Sequence, residues 1–106
     1  MTVMIVTGEA EYLAECFLPD VQEADLRALD ARAEASAVAL AAAGRRVRYL
    51  GSLLLREDEV VLCLFAGERD AVDEAARMAE VPFERIVETA RSPWASHHND
   101  TRGPDR

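Results

Sequence analysis

The stretch Val47–Ala66 reads VRYLGSLLLREDEVVLCLFA, and its reading decides the fold. Both ends are rich in β-branched, aromatic and aliphatic residues, while Arg56-Glu57-Asp58-Glu59 between them is wholly charged. Two such runs joined by a short polar segment predict a hairpin of strands, Val47–Leu55 and Val60–Ala66. The turn lacks the Asn-Gly signal, so its type is not legible. A strand with one wet face alternates apolar and polar residues. Val60–Ala66 is apolar throughout. In the other arm, Val47, Tyr49, Leu53 and Leu55 are expected on one face and Leu50 and Leu54 on the other. Both faces of the hairpin therefore need cover.

Before the hairpin, Leu26, Leu29, Ala33, Ala37 and Leu40 recur at steps of three and four, which predicts an amphipathic helix over Val21–Ala43. Asp20 is the expected N-cap, with Glu23 completing a capping box, and Gly44 is placed to end the helix. Tyr12–Leu18 reads as a strand that Pro19 stops. After the hairpin, Arg69–Glu80 predicts a second helix burying Ala71, Val72, Ala75, Met78 and Ala79, and Pro82 breaks it. Phe83–Thr89 is a last strand whose Glu84, Arg85 and Glu88 suit an exposed edge.

The order is βαββαβ, the ferredoxin-like α+β pattern: a four-stranded antiparallel sheet with two helices on one face. It occupies residues 11–90, with an N-terminal extension at 1–10 and a tail at 91–106, where periodicity stops and flexibility is expected. Two helices cover only one face. An apolar sheet face left open marks an interface, so a homodimer closed through the sheet, a dimeric α/β barrel, is expected.

Composition narrows the partners. The net charge is −8, Lys is absent and the basic residues are all Arg. Binding to nucleic acid or an anionic membrane needs a basic patch that neutralises phosphates, so neither is expected. No run approaches the roughly 18 apolar residues of a membrane span, and Met1–Ala10 lacks the basic start of a signal peptide. Two cysteines are too few for a disulfide framework, and a reducing cytoplasm is the expected setting.

Few residues carry chemistry. Cys16 and Cys63 fall on strands that are neighbours in the ferredoxin-like order; they form a redox pair, a two-thiolate metal site, or two small buried hydrophobes. Glu15 is the lone charge of the first strand and Arg48 that of the second, so the two pair or orient a ligand if they share a face. Glu57, Asp58 and Glu59 cluster at the hairpin tip, and His97 and His98 lie beside Asp100 in the tail, where an ordered metal site is not expected. Phosphate-binding glycine loops, G-x-S-x-G and C-x-x-C are absent.

Tyr12-Leu13-Ala14-Glu15-Cys16-Phe17-Leu18-Pro19-Asp20 resembles the opening of the DUF4242 family, small actinobacterial proteins of unknown function, some described as nickel-binding. Members typically read Tyr-Leu-Val-Glu and then Leu-Pro-Gly before a long helix. Leu62-Cys63-Leu64-Phe65-Ala66 is similar to the family's Phe-Cys-Leu strand, and the likeness spans about residues 11 to 90. The resemblance implies a ferredoxin-like fold that dimerises through its sheet, and metal held by helix histidines. Here Asp30, Ala76 and Glu80 stand where those histidines would be.

The resulting expectation is a small dimer that binds a small molecule or a partner without catalysis, with no cofactor and no metal site. The ligand candidates are Glu15, Asp30, Arg48, Tyr49 and Cys63. The alternatives are a cofactor-independent isomerase or oxygenase of the dimeric α/β-barrel kind, and a nickel or other transition-metal binder. Residues 1–96 contain no histidine, and nickel favours imidazole, thiolate or tetragonal N/O ligands. Calorimetric titration of a chain shortened to end at Ala90 should therefore show no nickel site of micromolar affinity. A stoichiometric site there would make ligands of Cys16, Asp30, Cys63 and Glu80.

Overall fold

The computed structural model describes residues 9–91. Six elements follow one another: β1 (Glu11–Phe17), α1 (Glu23–Ala42), β2 (Val47–Leu55), β3 (Val60–Gly67), α2 (Arg69–Met78) and β4 (Arg85–Thr89). The strands form one antiparallel sheet in the order β2-β3-β1-β4. This is the ferredoxin-like arrangement, with β2 and β4 at the edges. The expectations for Met1–Gly8 and for residues 92–106, His97 and His98 among them, lie outside the described residues.

The helices cover one face. Tyr12, Ala14 and Cys16 from β1 and Val61, Cys63 and Phe65 from β3 point at them and are buried. Leu29, Ala33, Ala37 and Leu40 of α1 and Ala71, Val72, Ala75 and Ala76 of α2 meet them. Small helix residues let the backbones sit close to the sheet, so Phe65 fills the middle with no exposure at all. Arg69 fastens α2 to the edge: its guanidinium lies over the Tyr12 ring and donates to the Ile86 carbonyl.

Three local expectations need correction. The N-cap of α1 is Gln22, whose N–H donates to the Asp25 carboxylate at 3.1 Å. Asp20 instead adopts φ +61° in the turn after Pro19, and its N–H donates to Glu59. Met78 is half exposed and Ala76 takes the buried place, because the buried arc runs from Ala71 through Ala75, Ala79 and Val72 to Ala76, and Met78 lies beyond its Ala71 edge. β4 starts at Arg85 and not Phe83; the Phe83 N–H is turned onto the Val81 carbonyl.

The most consequential correction concerns β2. Tyr49 pairs with Phe65, but the next partner, Leu64, faces Gly51. Leu50 is one residue too many, a β-bulge. Beyond it the alternation is reversed. Val47, Tyr49, Ser52 and Leu54 therefore face the helices, and Leu53 and Leu55 face the open side opposite Leu62 and Val60. Gly51, at φ +121°, supplies the backbone conformation that this step requires.

At the end of β3, Gly67 has φ +135°, and a Cβ there would overlap the Arg46 carbonyl and the backbone of Val47. Neither obstacle is a flexible side chain. Gly67→Ala should therefore lower unfolding stability by about 2–4 kcal/mol, measured by urea denaturation.

Candidate functional site

The seam between α1 and β2 gathers the polar side chains of the helix face. Asp30 projects from the third turn of α1 towards the bulged strand. Its Oδ1 accepts two hydrogen bonds, from the Tyr49 hydroxyl at 2.5 Å and from the Ser52 hydroxyl at 2.7 Å. Tyr49 and Ser52 are three residues apart, and in a regular strand they would face opposite ways. The bulge puts them side by side. Tyr49 packs edge-on against Phe65, ring centroids 5.0 Å apart, which fixes where its hydroxyl points.

Beneath this lies the thiol pair. Cys63 stands opposite both Ala14 on β1 and Ser52 on β2, and Cys16 is two residues along from Ala14 on the same face. Both are free thiols with 1% exposure or less. The neighbouring Cys63 thiol pushes Cys16 far above its ordinary range, with burial adding to the shift, while the Cys16 thiol donates to the Ala14 carbonyl at 3.9 Å. Cys16 in turn draws Cys63 down; burial opposes this and the Tyr49 hydroxyl assists it. Tyr49 is itself pushed up, first by burial and then by its bond to Asp30.

Outside Asp30 the surface opens into a shallow depression of about 510 Å³, bordered by Arg27, Asp30, Ala31, Glu34, Tyr49, Leu50 and Gly51. A separate cleft of about 340 Å³ lies where the β1–α1 and α2–β4 connections meet, over Leu18, Val21 and Leu29, with Asp20, Arg32 and Glu80 at its rim. The Arg32 Nε donates to the Ala79 carbonyl at 2.8 Å.

Of the residues proposed from sequence, Asp30, Tyr49 and Cys63 are brought together. Glu15 and Arg48 are not. They point to the open face, where each has another partner: Arg85 at 2.8 Å for Glu15, and Glu9 at 2.7 Å for Arg48. The Arg85 guanidinium holds the Glu15 carboxyl below its usual range, and Glu9 raises Arg48. Ser52 was missed. It is the one hydroxyl in an otherwise aliphatic run, beside a mid-strand glycine, and that pair of features is the signal for an inward polar residue at a bulge. Of the positions that the family resemblance marks for metal, Ala76 is wholly buried in the core, while Glu80 turns outward after α2 with φ +58°. Among the described residues, no three His, Cys, Asp or Glu side chains converge, and no helix is long and apolar enough to cross a membrane.

Compared with protein-family models, curated proteins and solved structures, the chain matches none of them.

The raised groups set the alkaline behaviour. Tyr49 and Cys16 are favoured in their neutral forms, so the stability they contribute is complete below the ordinary values, 9.0 for the thiol and 10.0 for the phenol, and is lost as pH rises above them. The melting temperature should fall between about pH 8 and about pH 11. Tyr49→Phe leaves Asp30 with one donor fewer and should cost about 1–3 kcal/mol at neutral pH. Its melting temperature should fall less steeply above about pH 10.

Proposed function

We propose that the protein works as a homodimer whose two sheets pack face to face, and that the dimer is a binding unit for a small molecule rather than an enzyme. The observation that carries the dimer is the open face of the sheet. Leu13, Phe17, Leu53, Leu55, Leu62 and Leu64 share it, and Phe17 and Leu53 are 52% and 59% exposed. An aromatic and a leucine this bare on a leucine-covered sheet face are what the core of a subunit interface provides. The charges of this face are paired within the chain, Glu9–Arg48 and Glu11–Arg91 at its margin and Glu15–Arg85 reaching inside it, where Glu15 stands opposite Leu62, so a second copy meets neutralised charges among apolar side chains.

The binding half of the reading rests on the α1–β2 seam. The Asp30 carboxylate there is oriented by two hydroxyls beside an open depression. The two thiols, the strongest nucleophiles among the described residues, are sealed in the core. The likeness of β1 and β3 to the DUF4242 family supports the same sheet-mediated dimer. The net charge of −8 disfavours nucleic acid, and two free buried cysteines fit a cytoplasmic setting.

Light scattering of the full chain at micromolar concentration should give about twice the 11.7 kDa of one chain. Leu53→Glu buries an unpaired charge in the interface and should weaken the dimer at least a hundredfold, about 3 kcal/mol, with the fold retained by circular dichroism. A monodisperse wild-type monomer that binds no hydrophobic dye would sink the proposal.

A further inference from the structure

The geometry points to Asp30 as the anchor of a site for a small organic ammonium ion, a primary amine carrying an apolar chain. This rests on the small-molecule half of the proposed function and names its ligand class.

The argument starts from donors and acceptors. Tyr49 and Ser52 both spend their hydroxyl hydrogens on one oxygen of Asp30, Oδ1. Among the described residues, no hydrogen bond is made to Oδ2. What remains beside the two hydroxyls is therefore an acceptor, already oriented, with both hydroxyl donors used up. A ligand that fits must donate. An ammonium group is all donor, with three hydrogens and no lone pair, and its bond to a carboxylate is charge-assisted and roughly twice as strong as a neutral one.

Charge selects in the same direction. Glu34 lies one helical turn beyond Asp30 and borders the same depression. Arg27 lies one turn before it and borders the depression too; its exposed guanidinium is 4.0 Å from Glu23. Two carboxylates against one guanidinium leave the wall net negative. The rest of the wall is apolar: the Tyr49 ring, Leu50 and Ala31. A ring face beside an anion suits an alkylammonium, which gains from both. The depression is shallow and open, so it suits contact along one side of a small ligand rather than enclosure. Two carboxylates alone make a poor cage for a hard metal ion, which takes six or more oxygens.

The test uses the full chain labelled with nitrogen-15, with hexylammonium as probe and 1-hexanol as its neutral counterpart. Hexylammonium should shift the Leu50 and Gly51 amide signals saturably, and hexanol should bind at least tenfold more weakly. Asp30→Asn keeps an oxygen that can accept from Tyr49 and Ser52 but removes the charge, and should weaken hexylammonium binding at least tenfold. Equal binding of amine and alcohol by the wild type would overturn the assignment, and so would no saturable shift by about 10 mM amine or unchanged affinity in Asp30→Asn. The wild-type comparison stands even if the variant folds poorly. Light scattering on the same samples separates the two claims: a dimer that ignores the amine sinks the ligand class alone, and a monomer that binds it sinks the dimer alone.

Discussion

The unpaired residue Leu50 in β2 sets what both faces of the sheet present. β3 is paired on both sides and apolar on both faces, so its side chains are committed: Val61, Cys63 and Phe65 to the helices, Leu62 and Leu64 to the open side. β2 must match that pattern along nine residues. Without the extra residue, Tyr49 and Ser52 would lie on opposite faces, and a polar hydroxyl would interrupt either the core or the open apolar patch. With it, the phenol and the hydroxyl converge on Asp30, and Leu53 and Leu55 join the leucines opposite. A slip of one residue in a strand exchanges every side chain between faces. Here that slip is built in, and the polar site and the apolar patch are two consequences of it.

The polar network costs stability in isolation, and the cost is lowered because each hydroxyl has an acceptor. A hydroxyl or carboxyl brought into an apolar seam loses water, and the loss is recovered only if each group finds a partner. Tyr49 and Ser52 find theirs in the same Asp30 oxygen, and the Cys16 thiol finds its own in the Ala14 carbonyl. The open face follows the opposite rule. Its charges are exposed, each already has an ion-pair partner, and such pairs contribute little to folding. Their effect is to neutralise the charges on a face that is otherwise apolar.

Much of this was legible in the residues, and the parts that were not share one cause. The βαββαβ order follows from the charged turn at Arg56–Glu59, the three- and four-residue steps of α1 and the break at Pro82, all signals of local chemistry. That β3 needs cover on both faces follows from its unbroken apolar run. The face assignment of β2 failed because strict alternation was carried through Leu50-Gly51, although a glycine inside a strand pattern is the mark of a bulge. Glu15 and Arg48 did not meet because each has a nearer opposite charge, Arg85 across the β1–β4 pair and Glu9 just before β1. Tyr49 and Asp30, nineteen residues apart, meet only once α1 lies along β2; nothing in the spacing announces it. Ser52 is legible only to a reading that has already placed the bulge.

The two faces are not independent. Ser52 and Leu53 are consecutive, one donating to Asp30 on the helix side and the other bare on the open side. Leu50 and Gly51, which border the depression, precede them directly. If a second copy covers Leu53 and Leu55, it presses on the strand segment that carries both hydroxyl donors. Ordering β2 from one face lowers the conformational entropy still to be lost when a ligand settles on the other, which is coupling without a change of shape. The bulge makes the segment suited to this, because the bulged residue has no ladder partner and leaves the strand weaker there than elsewhere. A strand held only by its neighbour on one side, bulged at its centre and loaded on both faces, is where dimer formation and ligand binding in this protein would be felt together.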